Sequence, residues 1–237
     1  MSGMKKQKGK KNRRPHWGVT ILLLIVVFLL AGSSWQTRQR QPIVYPKSLD
    51  QVAASVNGTS LTLRDIAFYV AYEEAEVEKQ AFAYDVEHPK KYWSVRLNKT
   101  YVYAAARNAI VQMAIHDELF YQMAVTEKIS LTEDEEKALF DKEQEFWQDL
   151  VEDEKDTMLG VTEEDIAEVM RRIAYAEKYQ SIYAQLQGNA YEDYDFSSDA
   201  YQALLEKQDY SINRNVVKRL GVGSITLNYK DSEKENK

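Results

Sequence analysis

A mainly α-helical fold, preceded by an N-terminal transmembrane helix, is predicted by three observations. Residues 101–125 carry apolar side chains at helical spacing (Val102, Ala106, Ala109, Ile110, Met113, Phe120, Ala124), and Val111, Ile115 and Leu119 add a second apolar face. The arrangement Thr-x-x-Asp/Glu, which starts a helix by reciprocal capping, occurs as Thr62 with Asp65, Thr132 with Glu135 and Thr162 with Asp165. Residues 19–31, VTILLLIVVFLLA, are uncharged and stand between Trp17 and Trp35.

A helix apolar over most of its circumference must be covered on several sides. The 101–125 helix is therefore expected at the centre of a helical domain. Ahead of it, 52–56 reads as a short strand closed by the tight-turn pair Asn57-Gly58. A helix follows from Thr62 to about Tyr84, with apolar positions 63, 66, 67, 70, 77 and 81, and His88-Pro89 breaks the chain. After the central helix, Thr132 opens a helix of about 25 residues that Gly160 stops, and Thr162 opens another. Ile166, Met170, Ile173 and Ala184 mark its buried side, with Tyr175, Tyr179 and Tyr183 as a neighbouring stripe. Gly188–Ser198 reads as a loop, Tyr201–Leu205 as a short helix and Asn215–Leu227 as one or two strands.

The segment from Trp17 to Trp35 would span roughly 28 Å as a helix, close to the hydrocarbon thickness of a bilayer. Seven of the 31 basic residues precede Trp17, where no acidic residue stands. That charge step places the N-terminus in the cytoplasm and the rest of the chain outside a bacterial cell membrane, as a single-pass protein. A cleaved signal peptide is the competing reading, because Ala31-Gly32-Ser33 supplies small residues. The expected organisation is a basic cytoplasmic tail (1–16), a transmembrane anchor or uncleaved signal (17–35), a linker holding Pro42 and Pro46 (36–50), a helical domain (51–228) and a disordered tail (229–237).

Composition excludes several classes of function. Beyond residue 16 the chain holds 24 basic against 37 acidic residues, which argues against nucleic-acid binding. There is no cysteine, hence no disulfide, thiolate catalysis or Cys-ligated zinc. The three histidines, His16, His88 and His116, are far apart and form no metal-binding pair. His116, beside Asp117 and Glu118, is a candidate base or a hydrogen-bonded structural residue. No phosphate loop or nucleophile elbow occurs, and no cofactor is expected. Twelve acidic and three basic residues between Glu133 and Asp156 read as a solvated face, with calcium binding or an acidic docking surface as alternatives.

Aromatic residues remain as the functional resource. Tyr92, Trp93, Phe146, Trp147, Tyr175, Tyr179 and Tyr183 either pack helix on helix or form a surface for exposed apolar segments of other polypeptides.

Three blocks in order, VAASVNGTSLTLRDIAFYV, AIVQMAIHDELFYQMAVTEKISLTEDE and LGVTEEDIAEVMRRIAYAEKYQ, resemble the N-terminal chaperone domain of SurA- and PrsA-type extracytoplasmic foldases. The resemblance implies a SurA- and trigger-factor-like helical domain tied by a small β element, in which a C-terminal segment, here Asn215–Leu227, returns to the N-terminal strand. It also implies binding of unfolded or newly exported polypeptides. The family's parvulin isomerase domain has no room, since 50 residues follow Gln187 and none is histidine. The expected function is thus chaperone-like binding without catalysis. A scaffold with one dedicated envelope partner and a peptidyl-prolyl isomerase are the alternatives.

Overall fold

The computed structural model describes residues 42–223. Its hub is helix α2 (Val102–Thr126), whose Ile110, Val111, Ala114, Ile115, Leu119, Phe120 and Ala124 are all buried. On α2 pack α1 (Ala67–Tyr84) and, over its greatest length, α5 (Glu163–Gln187). Helix α3 (Glu133–Glu152) leans on α5, and the short α4 (Lys155–Leu159) follows it. Two further short helices, α6 (Asp199–Leu205) and α7 (Arg214–Val217), complete the body.

Capping chemistry explains where the long helices begin. Thr132 and Glu135, and Thr162 and Asp165, exchange side-chain and backbone hydrogen bonds as reciprocal caps. Thr62 and Asp65 form the same bonds, with Thr62 N donating to Asp65 Oδ2 at 2.8 Å, yet α1 starts only at Ala67. Thr62 is instead the last residue of a strand, and the N–H groups of Leu63 and Arg64 donate to the carbonyls of Gln51 and Leu49, so residues 63–66 form a turn ahead of the helix. The expected 25-residue helix after Thr132 is two helices. Glu154 takes a left-handed conformation (φ 56°) between α3 and α4, and Lys155, buried, pairs with Asp153 at 2.6 Å.

A three-stranded antiparallel sheet ties the ends of the body together. Strand β1 (Val52–Val56) lies between β2 (Thr59–Thr62) and β5 (Tyr210–Ile212). Asn57 and Gly58 link β1 to β2 with φ of 47° and 85°, the paired positive values of a two-residue hairpin turn. The Asn57 side chain also reaches Gln122 and Gln208, so the turn is fastened to α2 and to the approach to β5. A second hairpin joins β3 (Arg96–Leu97) to β4 (Thr100–Tyr101) through Asn98 and Lys99, both with positive φ.

Three further expectations are corrected. No helix of the described residues is long and apolar enough to cross a membrane, so the fold class there is a helical body with small strands and no transmembrane helix. The expected anchor, 17–35 with Trp17 and Trp35, lies outside the described residues, as do the 1–16 and 229–237 tails. Residues 42–50 belong to the body instead of a spacer: Ile43 and Tyr45 are buried, and Ile43 N donates to Arg219 O at 2.8 Å. Among the described residues the returning strand is Tyr210–Ile212, and no strand forms in 215–223; the end of the expected segment, 224–227, lies outside the described residues. Asn213 Oδ1 accepts from Val216 N and caps the short helix Arg214–Val217 against the strand propensity of its two valines, and Val216 within it and Leu220 beyond it are both buried.

Candidate functional site

Helix α3 has one close aromatic contact with α1, and on both sides of that contact the surface is hollow. Phe68 of α1 meets Phe146 of α3 with ring centroids 4.7 Å apart, and stacks on Tyr72 at 6.1 Å. On one side of this bridge lies a groove of about 790 Å³ between α1, α3 and α5. Its apolar surface comes from Phe68, Tyr72, Leu139, Phe146, Met170, Ile173 and Ala174. On the other side a cleft of about 420 Å³, lined by Ala71, Ala75, Phe82 and Leu150, shares Phe146 and Asp149 with the groove.

Spacing on each helix accounts for these walls. Phe68, Tyr72, Ala75 and Phe82 form a stripe on α1 beside the stripe that covers α2. Met170, Ile173 and Ala174 lie one turn apart on α5. Tyr72 is 45 % exposed, which leaves its ring available from the groove. Charged groups form the rim. Lys178 Nζ bonds Glu135 at 2.5 Å and the Ser130 carbonyl at 2.9 Å. That ion pair, with the Thr132 backbone N–H, holds the Glu135 carboxyl down at about 2. Glu177 stands in the concave wall, where desolvation raises its carboxyl above the ordinary range.

The sequence-derived aromatic candidates divide into two groups. Phe146 lines the groove, and Trp147 is half-buried against the main core. Tyr92 and Trp93, at 8 % and 6 % exposure, form a second small core with Val77, Ala81, Val102 and Ala106. The backbone at Gly223 closes over Trp93 so tightly that an added Cβ would sit 2.6 Å from its ring. Tyr179 is buried, while Tyr175 and Tyr183 are half-buried against Tyr121 and Tyr194. The tyrosine stripe therefore faces α2 and the loop after α5. As a client surface, Tyr92, Trp93 and Tyr179 are corrected to packing residues in this conformation.

His116 is likewise committed to structure. Its Nδ1 lies 2.6 Å from Asp117 Oδ1, its Nε2 lies 2.8 Å from the Tyr194 carbonyl, and its ring packs on Phe120 and Tyr201. Tyr69 donates to the other oxygen of Asp117 at 3.0 Å. Both ring nitrogens are engaged, so the pair fastens Tyr191–Tyr194 to α2 and leaves no nitrogen facing a reactant. Among the described residues no three His, Cys, Asp or Glu side chains are grouped to hold a metal ion.

Comparison with protein-family models, curated proteins and solved structures returns no match. The foldase resemblance thus rests on the three sequence blocks alone, and the groove must be read from its own chemistry.

Proposed function

We propose that this protein binds apolar segments of unfolded polypeptides in the groove between α1, α3 and α5, without chemical change to them. The observation that carries the reading is a concave surface that combines the apolar side chains Phe68, Tyr72, Phe146, Met170 and Ile173 with bordering charged groups such as Glu135 and Lys178. Aromatic and Met side chains tolerate varied apolar shapes, and charged rims keep such a surface soluble. Open apolar concavities of this size are characteristic of ligand sites more than of ordinary monomer surface.

The test is light scattering from a chemically denatured model client diluted into buffer with and without the purified full chain. Suppressed scattering at near-stoichiometric ratios is expected, with loss of suppression in Tyr72→Ala. Unchanged scattering by folded protein would overturn general polypeptide binding.

A further inference from the structure

The groove has a charge pattern that its apolar floor does not require. Glu145 and Asp149 line it from α3, one turn apart, a rise of roughly 6 Å. Asp149 also borders the second cleft, where Glu152 and Asp153 continue the row. Neither Glu145 nor Asp149 has a side-chain hydrogen bond or ion pair among the described residues. Most of the nearby lysines are already engaged. Lys178 is held by Glu135, Lys155 by Asp153 and Lys79 by Glu76. Lys142 lies near Glu177, which offsets one charge with another. The uncommitted charge along α3 is therefore negative.

Geometry adds a spacing to that sign. An extended chain advances about 3.3 Å per residue, so side chains two residues apart stand roughly 6.6 Å apart on one side. That matches the rise from Glu145 to Asp149, while the intervening side chains point the other way, to the floor. From Glu135 to Asp149 the α3 wall of the groove runs about 21 Å, room for roughly six or seven extended residues.

Resting on the groove reading above, we infer that the occupant is an extended segment of unfolded polypeptide in which Lys or Arg alternates with large apolar residues. The basic side chains meet Glu145 and Asp149, and the apolar ones meet Phe68, Phe146 and Ile173. Arginine gains most, because its planar fork pairs with a carboxylate through two hydrogen bonds.

The experiment uses the full chain and fluorescein-labelled eight-residue peptides read by fluorescence anisotropy. Three peptides alternate Phe with Lys, Gln or Glu, and a fourth holds the Phe/Lys composition in two blocks. At low salt the alternating Lys peptide is expected to bind about fivefold more tightly than the Gln peptide, as two partly exposed ion pairs allow. The ratio falls toward one at about 0.5 M salt, where screening is short-ranged. The double variant E145Q/D149N removes the Lys-over-Gln preference, and the block peptide lacks it. Equal binding of Lys and Gln peptides overturns the charge inference while the groove reading survives. A preference that persists in E145Q/D149N also overturns it, because general attraction to an acidic protein then explains the result. If no peptide binds, both readings fail. Self-association that excludes every peptide makes a second copy the occupant and overturns the inference.

Discussion

Gly160 and Gly188 end helices in the same left-handed conformation, both with φ of 71°, but they differ in what surrounds them. A Cβ on Gly188 would meet nothing within 4 Å, whereas one on Gly160 would lie 2.7 Å from Pro46 Cα and 2.8 Å from its Cβ. Alanine at either site carries the left-handed penalty of about 1 kcal/mol. At Gly160 overpacking adds about 1–3 kcal/mol, since the contact is with backbone that cannot rotate away. Pro46 is further fixed by its neighbour Tyr45, which is buried in the main core. The expected losses are about 1 kcal/mol for G188A and about 2–4 kcal/mol for G160A. For a body of this size each kcal/mol lowers Tm by about 2–4 °C. Thermal unfolding followed by circular dichroism at 222 nm, with urea titration for the free energies, separates the two. Equal shifts within about 1 °C would refute the reasoning and mean that the 42–50 segment does not press on the end of α4.

Other outcomes follow from the same geometry. Thr162→Ala removes the reciprocal cap of α5 and is expected to cost about 1 kcal/mol by urea titration. Tyr72→Ala, at a half-exposed groove position, should leave stability within about 0.5 kcal/mol while lowering client protection. Desolvation, with the nearby Glu76 charge, raises the Glu73 carboxyl to about 7. The folded state therefore holds its proton more tightly than the unfolded chain, and stability falls as pH rises from about 4.5 through 7. Glu73→Gln should flatten that fall and stabilise the protein at pH 8 by about 1 kcal/mol, after discounting for partial exposure. A pH–stability profile unchanged by Glu73→Gln would contradict the assignment.

The long helices were legible because their signals are local and strong. Periodic apolar residues located α2, and threonine caps located the starts of α3 and α5 to the residue. The start of α1 lies five residues past its threonine because Thr62 pairs with β1 as a strand residue, a partnership that sequence cannot place beside it. Strand β5 was missed because Tyr-Ser-Ile is short and mostly polar, and only its partner β1 makes it a strand. The Val216-Val217 pair misled in the opposite direction, since the cap from Asn213 outweighs β-branching. Of the site, Phe146 was named, but Phe68 and Tyr72 were not. Their signal was present as a surplus apolar stripe on α1, on a face that the central helix does not use. Tyr92 and Trp93 looked like surplus aromatics because the second core exists only once 77–106 and Gly223 come together.

The pairing of β1 with β5 also sets a timetable. Ser55 and Ser211 touch through their hydroxyls at 2.9 Å although 156 positions separate them. At about 5–20 residues per second, a ribosome needs roughly 8–30 s to make the chain between them. Throughout that interval one edge of β1 has no partner, and an open edge invites any extended chain nearby to add itself. Closing so long a loop is also slow in itself. A nascent chain stalled at residue 205 should accordingly be cut by protease within β1, and one released after residue 223 should resist. Maturation of this protein thus has a last step, and until that step is complete the chain is itself in need of shelter.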